Sequence, residues 1–336
     1  MTMTSFPSSA GDWNRETSQH LDYDPSAPLI QHARIIVLGD PDDSTNARLY
    51  EEQKDSIVGI GKKASDFDFE KLNQTPPNVV YISTSDIRDL LSKLLIEFND
   101  SILWVHARSA GIEYCTSAAL AQSPVTMTNA KGHYSSTLSE YGIMACSYFA
   151  KDLPRLLQQQ RESNWEKYCI LELRGATLGI VGLGDIGTAT AKLAQAYGMK
   201  VVGLKRTRKK SSGLGSSSKN DNNYYCNDIY YTDEKPNALN ELCAISDYLY
   251  VATPLTPMTK GMIGKAQLDA MKTSGVIINV GRGPVIDEQA LIEALRTNSI
   301  KGAALDVTTV EPLPKDSPLW QMKNVLLSPY VPHLYS

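Results

Sequence analysis

The chain of 336 residues is long enough for about two domains, each with its own core. Hydrophobic residues make up 42% and charged residues 21%, and glycine (22) and proline (17) stand near their usual share, which excludes a collagen-like or low-complexity chain. A formal net charge of −4 gives no global reason to expect a nucleic-acid or membrane-surface partner.

Residues 1–28 carry Asp12, Glu16, Asp22 and Asp24, hold no hydrophobic segment, and intersperse Ser8, Ser9, Gly11, Pro25 and Pro28. This excludes a secretory signal, disfavours an Arg-rich transit peptide and reads as a disordered tail. Residues 29–135 read as a first α/β domain. The runs Ala33–Leu38, Val79–Ile82 and Ile102–Val105 are buried-strand patterns. Between them, Ser85 is read as the N-cap of a helix whose inner stripe is Ile87, Leu90, Leu91, Leu94, Leu95 and Phe98. Strands alternating with helices imply a parallel sheet. A single long helical stretch from about Ser136 to Gln160 leads into a second α/β domain, residues 136–336. Inside it, about 209–228, Ser, Gly and Asn dominate without periodicity, the pattern of a flexible insertion. Short apolar runs follow at Asp247–Ala252, Gly275–Asn279, Gly302–Asp306 and Asn324–Ser328, and Asp287 is read as the cap of a helix facing inward through Ala290, Leu291, Ala294 and Leu295. The five cysteines contain no C-x-x-C pair, so neither a disulfide framework nor a zinc knuckle is indicated and a reducing, cytoplasmic setting is expected. No apolar run reaches the roughly 18 residues of a membrane span.

The strongest motif is Gly182-Leu-Gly184-Asp185-Ile186-Gly187, directly after the strand-like Ala176–Val181 and before a helical run ended by Gly198. Gly182 permits the tight turn, Gly184 lets backbone approach a pyrophosphate, and Gly187 lets helix and strand pack, while the helix N-terminus attracts the anion. The next strand, Val201–Leu204, ends where an NAD site carries an acidic residue for the ribose hydroxyls. Here Lys205 stands there, followed by Arg206, Thr207 and Arg208. Cations at this point suit a 2′-phosphate, so NADP(H) is the favoured cofactor, with NAD(H) possible. Two other readings of residues 205–210 stay open: a solvated basic loop and a nuclear-localisation-like cluster.

Several ordered motifs between Ile102 and Ser328 resemble the D-isomer-specific 2-hydroxyacid dehydrogenase family, in particular its glyoxylate/hydroxypyruvate reductase-like branch. They are Ser109–Ile112, Thr128–Gly132 with Glu140, the glycine motif, Thr253–Thr259, Asn279–Asp287 and Leu305–Pro314. The resemblance implies two Rossmann-like or flavodoxin-like doubly wound domains, with the active site in the cleft between them and dimerisation through the coenzyme domain. It implies hydride exchange between nicotinamide C4 and C2 of a small 2-keto or 2-hydroxy acid such as glyoxylate or hydroxypyruvate. Arg282 matches the arginine that binds the substrate carboxylate and polarises the C2 oxygen, and Glu311 the carboxylate that orients the proton donor. Asp306 matches the nicotinamide carboxamide partner. Thr253, Pro254, Val280 and Gly281 match further cofactor contacts. The backbone at Ala110 and Gly111 is expected to hold the substrate carboxylate, with a hydroxyl from Ser109. The family's catalytic histidine follows a Thr/Ser-Pro pair, and in Ser328-Pro329-Tyr330 that place is taken by a tyrosine. Tyr330, with a phenol pKa near 10, can donate a proton during reduction, and His333 is the nearest histidine. His133 is an outside candidate, whereas His20, His32 and His106 read as ordinary residues. The family normally continues beyond Ser336 with a helix crossing back to the first domain, so either a shortened member or a reading frame incomplete or altered at its C-terminus is expected. A nucleotide-binding sensor or corepressor-like protein without turnover is the alternative function.

Overall fold

The structure, a computed structural model, describes residues 32–208 and 224–329. The expected tail over 1–28, most of the 209–228 insertion, Lys209, Lys210, Tyr330 and His333 lie outside the described residues. The described chain separates into two compact units between Tyr134 and Ser135.

The first unit runs β1 (Ile35–Leu38), α1 (Ala47–Glu52), β2 (Ile57–Gly61), α2 (Phe69–Gln74), β3 (Val79–Ile82), α3 (Arg88–Glu97), β4 (Trp104–Ala107), α4 (Ala118–Gln122) and β5 (Thr126–Asn129). All strands are parallel, in the order β2-β1-β3-β4-β5, the flavodoxin-like doubly wound arrangement. β1 is buried along its whole length, as an Ile-Ile-Val-Leu run sandwiched on both faces must be. All six stripe residues expected on α3 are buried, from Ile87 to Phe98. The helix begins at Arg88, not after Ser85, because Asp86 adopts φ +60 and no helical turn can pass through it. Two strands escape the apolar-run criterion. β2 is interrupted by Gly59, whose missing Cβ makes room for the Phe67 ring, and β5 is the polar edge sequence Thr-Met-Thr-Asn.

The second unit opens with α5 (Ser135–Lys151) and α6 (Leu153–Arg161). The single helix expected over 136–160 is thus broken at Asp152, at φ +51, ahead of Pro154, which cannot continue the ladder of the preceding helix. There follow β6 (Thr177–Val181), α7 (Asp185–Ala196), β7 (Lys200–Lys205), β8 (Asp228–Tyr231), α8 (Ala238–Ile245), β9 (Tyr248–Val251), α9 (Lys265–Ala270), β10 (Val276–Asn279), α10 (Glu288–Arg296), β11 (Gly302–Leu305) and β12 (Val325–Leu327). The seven parallel strands are ordered β12-β11-β10-β9-β6-β7-β8, so the winding reverses between β6 and β9. In open α/β sheets the ligand crevice lies at this reversal, outside the carboxyl ends of the strands. β8 begins at Asp228, the residue where the expected insertion ends, and forms one outer edge of the sheet.

Local chemistry fixes the elements around that crevice. α7 ends in a Schellman motif: Gly198, at φ +74, donates to the Gln195 carbonyl and Met199 to Ala194. Asp287 caps α10 by accepting from the amides of Gln289 and Ala290, as the sequence suggests. α5 lies close on the sheet because Gly142 has no Cβ; one would stand 2.5 Å from Cε2 of Tyr250. That fully buried tyrosine donates its hydroxyl to the Leu138 carbonyl at 2.9 Å. Among the described residues, no helix is long and apolar enough to cross a membrane.

Leu91 is wholly buried in the first unit's core, on α3 against the sheet. Leu91→Ala is expected to cost about 2–5 kcal/mol. Urea unfolding followed by circular dichroism checks this, and an unchanged midpoint would contradict the assigned packing.

Candidate functional site

The nucleotide loop starts where β6 stops. Gly182, at φ +100, presses its backbone onto the exit of β9; a Cβ there would lie 2.9 Å from Cγ2 of Thr253 and 3.1 Å from the Ala252 carbonyl. A Cβ on Gly187 would lie 2.2 Å from the Gly182 carbonyl oxygen, so the first turn of α7 sits against the loop itself. Gly184 differs from both. Its φ is ordinary and an added Cβ would meet nothing within 4 Å, so the protein's own packing does not require a glycine there. It is the N-cap of α7 and no side chain caps that end, which leaves the opening amides and the helix dipole to a ligand. Asp185 and Ile186 occupy the first turn. Two buried hydroxyls, Oγ1 of Thr188 on α7 and Oγ1 of Thr253 after β9, have no hydrogen-bond partner among the described residues. A glycine whose only need is backbone access, an uncapped helix start and two orphaned hydroxyls fit a dinucleotide. The segment after Thr253 is folded on itself, with Oγ1 of Thr259 donating to the Pro254 carbonyl at 2.6 Å.

The basic residues after β7 part company. Arg206 is exposed, with Nη1 3.9 Å from Sδ of Met258 in the segment following β9. Among the described residues it has no carboxylate partner. Thr207 is exposed between the two arginines. Arg208 is bound: Nε and Nη2 donate to the two oxygens of Glu234 at 2.9 and 3.2 Å, and its guanidinium lies 4.5 Å over the Tyr231 ring. The Arg208 hydrogen bonds hold the Glu234 carboxyl below the usual carboxylate range. Residues 205–208 are therefore not three equivalent cations.

Beyond β10, Val280 is buried and donates to the Val251 carbonyl, and Gly281 lies so close to β9 that a Cβ would stand 2.6 Å from the Thr253 oxygen. Buried Asn279 ties the turn, accepting from the Gly281 amide at 3.1 Å and donating to the Arg282 carbonyl at 3.2 Å. Gly283 packs onto the Thr308 backbone, which sets the Arg282 loop beside the Thr308–Glu311 turn. Arg282 is half-buried and its Nη1 donates to the Gly281 carbonyl at 2.8 Å. Glu311 is exposed, and Oε1 accepts from the Thr308 amide at 3.0 Å, so this carboxylate caps its own turn. The described residues of the second unit contain no histidine for it to orient. Asp306 is 1% exposed and its Oδ1 accepts from Oγ of Ser328 at 2.7 Å. Burial, reinforced by the Asp306 charge, pushes the Tyr141 phenol up to about 12. Sequence patterns did not point to Tyr141, and they marked Ser328 only as the first residue of the Ser-Pro pair; the bond from Ser328 to Asp306 and the influence of Asp306 on Tyr141 come from the fold.

In the first unit, residues 109–111 follow β4. Oγ of Ser109 donates to the Gly111 carbonyl at 2.7 Å and lies 2.8 Å from the Tyr114 hydroxyl, so the hydroxyl expected for a ligand is engaged within its own loop. The Ser109 carbonyl accepts from the Ala130 amide and the Ala110 carbonyl from Nδ2 of Asn129 at 2.5 Å. A trans peptide sets each N–H opposite the preceding C=O, so the amides of Ala110 and Gly111 face away from β5. Arg108 braces the loop base, pairing with Asp43 at 3.0 Å and donating to the Ser83 carbonyl at 2.9 Å and to Thr45. His106 meets Oγ1 of Thr128 at 2.8 Å among Tyr81 and Trp104, and burial holds its pKa down. His133 is exposed. Among the described residues no cluster of His, Cys, Asp or Glu could hold a metal ion.

The glycines make separable predictions. Gly184→Ala is expected to leave the thermal unfolding midpoint within a few degrees while weakening dinucleotide binding by about tenfold or more. Gly187→Ala is expected to lower both. Circular dichroism melts with fluorescence titration of NADPH measure the two effects, and equal behaviour of the two variants would contradict the assignment.

Comparison with known proteins agrees with this geometry. Residues 143–332 match the family model described as D-isomer specific 2-hydroxyacid dehydrogenase, NAD binding domain. The chain is 29% identical over 301 residues to a D-3-phosphoglycerate dehydrogenase of Methanocaldococcus jannaschii, covering 88% of this chain and 52% of that protein. It is 41% identical over 161 residues to a glyoxylate/hydroxypyruvate reductase B of an Enterobacter species, covering 48% of this chain and 45% of the relative. The chain thus spans about half the length of these curated relatives. Among solved structures, an NADPH-dependent glyoxylate/hydroxypyruvate reductase of Sinorhizobium meliloti in complex with citrate superposes with a TM-score of 0.69 at 26% identity, covering 89% of this chain and 88% of that one. With the doubly wound seven-stranded sheet, the glycine loop at its reversal and a family match over more than half its length, the chain belongs to the D-isomer specific 2-hydroxyacid dehydrogenase family.

Proposed function

We propose that the protein reduces small 2-keto acids such as glyoxylate or hydroxypyruvate to 2-hydroxy acids, with NADP(H) favoured and NAD(H) possible, in the cytosol. The observation that carries this reading is Arg282, held half-buried at the carboxyl end of β10 by Asn279 below and Gly283 beside it. The names of the relatives at 41% and 26% identity support the substrate class. A nicotinamide cofactor, when bound, supplies the hydride. The amides at Gly184 and the start of α7 take the pyrophosphate, Arg206 the 2′-phosphate, and Asp306, oriented by Ser328, accepts a hydrogen bond from the carboxamide. The Arg282 guanidinium holds the substrate carboxylate and the C2 oxygen, stabilising the negative charge that develops there. Within the first unit, the amides of Ala110 and Gly111 are the proposed donors to a substrate carboxylate. Tyr330, two residues past the Ser328 anchor, gives its Oη proton to the C2 oxygen, with His333 as the other candidate and Glu311 as the orienting carboxylate.

A second reading, a nucleotide-binding sensor or corepressor-like protein without turnover, is favoured by Tyr330 in the histidine's place and by Glu311, whose carboxylate already serves its own turn. Association as a homodimer belongs to the main reading. The second unit exposes Leu156, Leu157, Trp165, Ile170 and Leu171 along α6 and the segment after it, a surface suited to burial against a second copy.

Oxidation of NADPH at 340 nm with glyoxylate, hydroxypyruvate and pyruvate tests the proposal. Arg282→Ala is expected to lower kcat/KM by about 10³-fold or more. Tyr330→Phe is expected to lower kcat by about 10²–10⁴-fold. With Tyr330 as the acid, the reduction rate stays level from pH 6 to 9 and declines as a phenol ionises near 10; with His333 it declines from about 6.5 upward. An inactive native chain that binds NADPH and gains turnover as Tyr330→His would favour the sensor. Sedimentation at the monomer mass would remove the dimer.

A further inference from the structure

We propose that Glu234 sets the dinucleotide selectivity of this chain by withholding Arg208, so that, among the described residues, Arg206 is the guanidinium presented to a 2′-phosphate. This deepens the NADP(H) reading above and rests on it.

β6 lies between β7 and β9 in the sheet, and the glycine loop rises from the end of β6. Arg206 leaves the end of β7, yet its Nη1 lies 3.9 Å from Met258, which belongs to the segment after β9. The chain exits of the two strands that flank β6 therefore meet at Arg206 and Met258. Arg208 points the other way, toward β8 and the outer edge of the sheet, where Tyr231 and Glu234 receive it. An exposed ion pair contributes little by itself. This one joins two parallel N–H···O bonds to an aromatic face, so the same guanidinium is held from two sides.

The pair has two-way consequences. While it is closed, the two charges offset one another and Arg208 is turned toward Glu234 and Tyr231, so neither group meets a ligand as a free charge. Removing the carboxylate charge frees a second cation beside Arg206 and removes a repelling charge, which strengthens binding of the 2′-phosphate. Removing the guanidinium frees Glu234 as an acidic residue near the end of β7, the kind of acceptor that suits the 2′-hydroxyl of NADH. The two substitutions are thus expected to shift selectivity in opposite directions, which a merely structural surface bridge would not do.

Fluorescence titration of the full chain with NADPH and with NADH, and competition by adenosine 2′,5′-bisphosphate as a probe of the phosphate subsite, reads these affinities without turnover. Arg206→Ala is expected to weaken NADPH about tenfold or more and NADH less than about twofold. Glu234→Gln is expected to strengthen NADPH and the bisphosphate about three- to tenfold with NADH unchanged, and Arg208→Ala to shift the NADPH/NADH ratio toward NADH mainly by tightening NADH. Equal NADPH losses in Arg206→Ala and Arg208→Ala, or no change in Glu234→Gln, would overturn the proposal while leaving the NADP(H) reading in place. Failure of the unaltered chain to bind either dinucleotide would remove both.

Discussion

The second unit depends on a backbone-to-backbone contact at the carboxyl edge of its sheet. Three strand exits converge there: the Gly182 turn after β6 rests on Ala252 and Thr253 after β9, and Gly281 after β10 rests on the Thr253 carbonyl. Such closeness is possible only because Gly182 and Gly281 carry no Cβ, and it fixes the directions in which the following residues leave the sheet. Gly187 extends the same contact to α7 by lying on the Gly182 carbonyl. The helix start, the Thr253 hydroxyl and the Arg282 loop are therefore one mechanical assembly. A shift of any one exit would have to be passed to the other two, since packed backbone has little room to yield.

Polar groups around that assembly are held by a few specific bonds. Asn279 ties both ends of the turn that carries Arg282, and Ser328 fixes one oxygen of a carboxylate that is almost entirely out of water. A buried carboxylate without such a bond would be costly. At the loop ends exposed to solvent the arrangement is looser, and charges are sorted by whom they meet: Arg208 finds Glu234, while Arg206 leans toward Met258.

Much of this was legible in the sequence, for reasons that differ by element. β1, β3, β9, β10 and β11 are buried on both faces or nearly so, and an apolar run is the direct imprint of that environment. The glycine motif and the Asp287 cap were legible because each has a local cause. β2 and β5 were not, because a strand that is glycine-interrupted or polar carries no apolar run, and β8 was not, because its three apolar residues stand directly behind the Ser-, Gly- and Asn-rich stretch. The break at Asp152 was masked by continuous helical periodicity on either side. The pairing of Arg208 with Glu234 crosses 26 positions and exists only because β7 and β8 are neighbours. The engagement of Glu311 by the Thr308 amide is a turn bond invisible at the level of a motif match.

The position of β8 gives Glu234 a second significance. β8 is an outermost strand of aromatic and β-branched composition, Ile229-Tyr230-Tyr231, the kind of segment onto which another chain can add itself. Asp228 opens it, and Asp233, Glu234 and Lys235 follow after Thr232, so charge brackets the sticky run at both ends as gatekeepers do. Strand length, four residues, limits the template further. The surface that carries the Arg208–Glu234 pair is thus also one that discourages intermolecular strand addition, and drift toward neutral residues there would lower colloidal stability.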